Sequence, residues 1–197
     1  MFKLRLAKDL LLHRFKAKNR HGLHSPFVYR LVDTIIYDFY AKKVYAKVKK
    51  FNKNSKKNNF LDSPKVNRLI YRLANDLKPD NLIELGPLPE ITKVYLQKAA
   101  PTAKLYTDVN GSPEKLDFVI INEHDQEQAL KYFEWCLPKV HENTMLVFTG
   151  IYQNKEMKQA WTQIKAHPKV TVTVDLFWIG LVFFRKGQVR EDFWIKF

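Results

Sequence analysis

The chain has 197 residues, 46% of them hydrophobic and 14% aromatic, enough apolar side chain to core a folded domain and to exclude disorder over most of its length. Its one cysteine, Cys136, excludes an intramolecular disulfide and a four-cysteine zinc site, and neither an apolar run of about 18 residues nor a cleavable leader is visible, so the chain reads as cytoplasmic. The net charge of +14 lies entirely in the N-terminal part: residues 1–80 hold 20 Lys and Arg against 6 acids, and residues 81–197 hold 14 against 14.

Residues 3–18 place Leu4, Ala7, Leu11 and Phe15 at helical intervals among Lys and Arg. This is a basic amphipathic helix, expected to pack its apolar stripe on its own domain rather than on an anionic membrane. His21 and His24 flank Gly22, which interrupts any helix, and no third ligand is nearby, so they read as part of a turn. Ser25-Pro26 is a helix start, a capping hydroxyl followed by proline at the first helical position, and the helix is expected to run from Pro26 toward Lys50. Lys42, Lys43, Lys47, Lys49, Lys50, Lys53, Lys56 and Lys57 follow with no acid between Asp38 and Asp62. Such a block repels itself, and Asn52 to Asn59 reads as a linker. It has two readings: a solvated connector, or a surface for RNA or an acidic protein partner, with Tyr37, Phe39, Tyr40, Tyr45 and Phe51 available to stack on bases. A division follows into a basic helical extension with linker, residues 1–62, and an α/β domain, residues 63–197.

Ser63-Pro64 repeats the start signal for a helix ending before Pro79. Beyond it, short apolar runs alternate with helical patterns. Strands are expected at Asn81–Gly86, Lys104–Thr107, Leu116–Ile121, Thr144–Phe148, Val170–Val174 and Leu181–Phe184, and helices at Ile91–Ala100, Gln126–Cys136 and Lys155–Lys165. Alternation of this kind means a mostly parallel sheet with helices on its faces, and the last two strands, lacking a helix between them, form an antiparallel hairpin. Asp108 to Lys115 is too short for the usual parallel crossover, so the sheet is expected to be truncated on that side. An uncovered sheet face there would be protected by the helix from Pro26 or by a second subunit, which makes a homodimer an expectation.

A Rossmann-like sheet closed by an antiparallel hairpin resembles class I S-adenosylmethionine-dependent methyltransferases. The segments Arg20-His21-Gly22-Leu23-His24-Ser25-Pro26-Phe27-Val28, Ile83-Glu84-Leu85-Gly86, Leu116 to Ile121, Ile151-Tyr152 with Lys155-Glu156-Met157, and Asp175-Leu176-Phe177 with Gly180 to Arg185 resemble, in that order, a methyltransferase-like family of Bacteroidetes with an O-methyltransferase-like core. The resemblance implies S-adenosylmethionine as cofactor, bound where strands of such sheets end, with Glu84, Gly86, Asp108 and Asn122 as the cofactor-binding positions. It implies no metal, because Asn122 and Thr149-Gly150 stand where related O-methyltransferases carry aspartates.

The first turn departs from the family pattern. It reads Glu84-Leu85-Gly86-Pro87-Leu88-Pro89-Glu90: two prolines remove amide donors, and Glu90 sets a carboxylate at the start of the next helix, where it opposes the cofactor's own carboxylate. Acid-base work could fall to His124 or Tyr152, though both residue types are more often structural, and Cys136 on an apolar helix face is expected to be buried and inert. Two functions therefore stand side by side. One is a methyltransferase without a metal; the other is a non-catalytic binding module of the same ancestry that uses its basic N-terminal region.

Overall fold

The central strands are built around short apolar runs, Leu82-Ile83, Phe118 to Ile121 and Met145 to Phe148. The computed structural model describes residues 2–51, 61 and 63–197. β1 (Asn81–Leu85), β3 (Leu116–Ile121) and β4 (Val140–Thr149) are parallel neighbours, with Ile83 opposite Val119 and Val119 opposite Leu146. β6 (Ile179–Phe183) pairs antiparallel with both β4 and β5 (Val172–Asp175), which is the expected hairpin. With β2 (Lys104–Tyr106) on one edge and β7 (Glu191–Trp194) on the other, the order is β2-β1-β3-β4-β6-β5-β7. Residues 107–115 hold no strand, so the sheet is truncated there as expected. β7, which runs parallel to β5, was not expected.

The chain forms two compact units: Met1–Asn19 with Asn81–Pro87 and Leu105–Phe197, and Arg20–Asp80 with Leu88–Lys104. In the first unit the sheet residues Ile83, Val119, Leu146 and Val182 are buried with Phe133 of α6 (Gln126–Cys136) and Trp161 and Ile164 of α7 (Lys155–Ala166). Each such side chain contributes roughly 1.5–3 kcal/mol by leaving water. The caps are local: Asp125 accepts from the Gln128 amide at 2.7 Å and Asn154 from the Met157 amide at 2.6 Å.

α1 (Phe2–Lys16) also belongs to this unit, and it lies the other way round from expectation. Asp9 and His13 are buried, as is Ala17 just past its end, whereas Leu4 is 79%, Leu11 57% and Phe15 87% exposed. Polar contacts decide the orientation. The Lys158 ammonium donates to Asp9 at 2.6 Å, His13 Nε2 lies 3.1 Å from the Asp175 carboxylate, and Lys18 bridges to Ile195 beside β7. Turning the apolar stripe inward would remove all three.

In the second unit Ser25 caps α2 (Pro26–Arg30) by accepting from the Val28 amide at 3.3 Å. The single helix expected from Pro26 toward Lys50 is broken. α2 widens into a π-turn over Leu31–Ile36 that ends with the Tyr37 amide bonded to the Val32 carbonyl at 2.9 Å, and α3 (Lys43–Phe51) starts afresh. Two side chains hold the break. Arg72 donates to the Ile35 and Ile36 carbonyls at 2.6 and 3.0 Å, and Asp38 accepts from the Tyr40 amide at 3.2 Å while pairing with Lys42 at 2.7 Å. Arg72 stands on α4 (Pro64–Leu77), which ends at Lys78 in the left-handed region, φ 50°. Tyr45 of α3, Tyr71 of α4 and Tyr95 of α5 (Glu90–Ala99) form a ring cluster with Val48. The linker reading of residues 52–59, and with it Lys53, Lys56 and Lys57, lies outside the described residues, as do the side chains of Lys49 and Lys50.

Candidate functional site

In a sheet of this topology ligands bind beyond the carboxyl ends of the parallel strands, here after β1, β3 and β4. Glu84 is buried near the end of β1. Gly86 follows at φ +86°, and a Cβ on it would lie 2.2 Å from the Asn122 carbonyl oxygen and 2.7 Å from Glu123 Oε1. Glycine is therefore required here by the chain's own packing. Asn122 is 1% exposed: its side-chain amide donates to the Pro87 carbonyl, its Oδ1 accepts from the Thr149 hydroxyl at 2.6 Å, and its backbone amide donates to the Leu85 carbonyl at 2.9 Å. Asn122 thus ties the end of β3 to the turn after β1 and to the end of β4, with one side-chain donor and its acceptor engaged in doing so.

Among the described residues, Asp108 and Glu90 make only local, exposed contacts. Asp108 is exposed and caps a turn, accepting from the Asn110 amide at 2.7 Å. Glu90 is the first residue of α5, and its carboxylate is 86% exposed and lies 3.2 Å from the Lys93 ammonium, an i, i+3 pair, rather than on the helix amides. Burial pushes the Glu123 carboxyl above the usual range. The carbonyls of Glu123 and His124 accept from the Gln153 and Asn154 side chains at 2.5 and 2.6 Å, which fixes this loop against the segment after β4.

Tyr152 is drawn into a cluster that sequence reasoning missed. Asp175, at the end of β5 and 1% exposed, accepts on Oδ2 from the Tyr152 hydroxyl at 2.7 Å and the Trp161 indole at 2.9 Å and on Oδ1 from the Phe177 amide at 2.9 Å, with His13 Nε2 3.1 Å from Oδ1. Burial, then the neighbouring Asp175 charge, pushes the Tyr152 phenol well above its ordinary value, so it is held neutral. The signal in the sequence was an acid closing an otherwise apolar strand, Val172-Thr173-Val174-Asp175. Cys136 is fully buried, and burial pushes its thiol up to about 12, which removes it as a nucleophile. His21 and His24 are not brought together with any other ligand: among the described residues no group of three or more His, Cys, Asp or Glu could hold a metal ion.

The second unit holds a cavity of about 650 Å³. Lys42, Lys65, Arg68 and Arg72 line it against a single acid, Asp38. Tyr45 lines it too, buried with its hydroxyl making no hydrogen bond, and the Arg68 guanidinium lies 4.9 Å from the centre of the Tyr45 ring. At its rim Phe39 is 67% and Tyr40 80% exposed.

No protein-family model and no curated protein matches the chain. Among solved structures it is similar to a SAH-bound methyltransferase from Podospora anserina, with a TM-score of 0.58 at 7% identity over 84% of this chain and 98% of that one. It is also similar to an O-methyltransferase from Bacillus cereus in complex with SAH, with a TM-score of 0.50 at 16% identity over 75% of this chain and 93% of that one. Together with the strand order, these likenesses show the Rossmann-like fold of class I methyltransferases.

Proposed function

We propose that the chain is a class I S-adenosylmethionine-dependent methyltransferase by descent, of the O-methyltransferase type, whose donor site is closed by its own groups and which no longer transfers methyl groups. The observation that carries this reading is the crowding at Gly86: the Asn122 carbonyl and the Glu123 carboxylate crowd the turn after β1, where the family's glycine lets the backbone approach the cofactor. The donor set fails as well. The cofactor's carboxylate needs amide or cationic partners, but Pro87 has no N–H, Glu84 and Glu123 are acids, and the Asn122 side-chain amide already donates to the Pro87 carbonyl. Neither Asn122 nor Thr149 offers a charged oxygen to a divalent cation. Calorimetric titration with S-adenosylmethionine and with S-adenosylhomocysteine should give no binding heat at millimolar ligand. Micromolar binding that is lost in Glu84→Ala would overturn the reading.

A second reading is favoured by the cavity of the other unit. Its cationic lining and rim aromatics suit single-stranded RNA, with phosphates on Lys42, Lys65 and Arg68 and a base on Phe39 or Tyr40. Anisotropy of a short labelled RNA should show affinity falling with salt and falling in Tyr40→Ala and in Lys65→Gln. RNA affinity indifferent to both changes would reject the cavity as its site.

A further inference from the structure

The outward face of α1 is a feature that neither reading uses. At about 100° per residue, Leu4, Leu11 and Phe15 fall within an arc of roughly 40°. Leu12, 48% exposed, widens the stripe. Lys8 stands within the widened stripe, between Phe15 and Leu12, while Arg14 lies beyond one edge and Lys16 beyond the other, all exposed, and Lys18 follows just beyond the helix end. The opposite face is pinned to the fold through Asp9 and His13, so the stripe is held outward. A row of four large apolar side chains left in water is unusual for a monomer and marks a surface that something covers.

We propose that α1 lies in the plane of an anionic lipid surface, with Leu4, Leu11 and Phe15 entering the acyl boundary and Lys8, Arg14 and Lys18 on the headgroups. Charge complementarity selects this occupant. Basic residues on both edges of a narrow apolar stripe match a negatively charged interface, where their long stems extend along the apolar region while the charges stay among the headgroups. A second copy of the chain is a poor match, because a two-fold contact through this face would set Lys8 and Arg14 of one copy against those of the other in a protein of net charge +14. Among the described residues no helix is long and apolar enough to cross a membrane, so the helix binds the surface.

The test is flotation of the full chain with vesicles of phosphatidylcholine alone and of phosphatidylcholine mixed with phosphatidylglycerol. The chain should float only with the anionic vesicles. The Leu11→Ser/Phe15→Ser and Lys8→Gln/Arg14→Gln variants, all at exposed positions, should each lose at least about tenfold in partition. Because a protein of charge +14 adsorbs to any anionic surface, the apolar variant decides: unchanged flotation in Leu11→Ser/Phe15→Ser overturns the proposal. So does absence of binding, or a dimer on size exclusion that this variant abolishes. Phe15→Trp supplies an independent readout, since its emission should shift to the blue on anionic vesicles and an unshifted spectrum would contradict insertion.

Discussion

The Thr149 hydroxyl donates a 2.6 Å hydrogen bond to Asn122 Oδ1, while the same side chain donates to the Pro87 carbonyl. β4 is thereby fastened to β3 and to the turn after β1 at the edge where a ligand would approach. Asn122→Ala leaves a buried hydroxyl and a carbonyl without these partners and should cost about 2–4 kcal/mol. Chemical denaturation would show it as a lower midpoint at unchanged slope. Asn122→Asp should be worse at neutral pH than in acid, because a carboxylate cannot donate to Pro87 and its charge would be buried.

Asp175 satisfies three buried donors and the His13 ring from a strand end that excludes water. Removing a buried carboxylate so engaged costs about 3–5 kcal/mol, so Asp175→Ala should unfold the chain at markedly lower temperature. Tyr152→Phe, which removes one donor and leaves the ring stacked on Phe177 at 4.9 Å, should cost only about 1 kcal/mol. The ratio of the two losses, read by calorimetry, checks that the carboxylate is the hub.

Alkaline stability should be dominated by two groups whose folded values are raised. The Cys136 thiol rises from 9.0 to about 12 through burial, and the Tyr152 phenol rises further from 10.0. The folded state keeps both protons where the unfolded chain loses them. Their contribution is therefore fully present below about pH 9 and declines as pH climbs toward 12, the thiol alone accounting for roughly 4 kcal/mol at most. Between pH 9 and 12 the unfolding free energy of Cys136→Ala should fall less steeply than that of the parent chain.

Arg72 holds the π-turn by donating to the Ile35 and Ile36 carbonyls. In Arg72→Met the loss should be about 2–3 kcal/mol and should be felt first over residues 31–42. Amide hydrogen exchange there should quicken well before exchange in β3 does. Equal quickening in both places would mean that the arginine supports the whole fold.

Much of the sheet was legible because Phe118 to Ile121 and Met145 to Phe148 are apolar on both faces, as in strands covered by helices. The four residues of β7 were not: Glu191-Asp192-Phe193-Trp194 carries one buried apolar residue, too little for a period to register. Nor was the break after Ile36 legible, since Ile35, Ile36, Phe39, Tyr40 and Val44 keep helical spacing straight through it, and what stops the helix is Arg72, 36 positions away. The stripe of α1 was read correctly as a stripe and wrongly as a buried one. Periodicity says which residues share a face, and Asp9 and His13 decide which face turns in. At the strand ends Glu84, Gly86 and Asn122 were singled out, but a clasp between Asn122, Thr149 and Pro87 is a tertiary fact that no local pattern carries.

The docking of α1 has a consequence for how the polypeptide reaches this state. His13 meets Asp175 across 162 positions, and the Lys18 amide bonds to the Trp194 carbonyl at 2.7 Å. During synthesis α1 can therefore find its seat only after everything between it and β7 has been made. Until then the contacts of His13 and Lys18 that hold the helix to β5 and β7 cannot form, so its seating is a long-range step of folding.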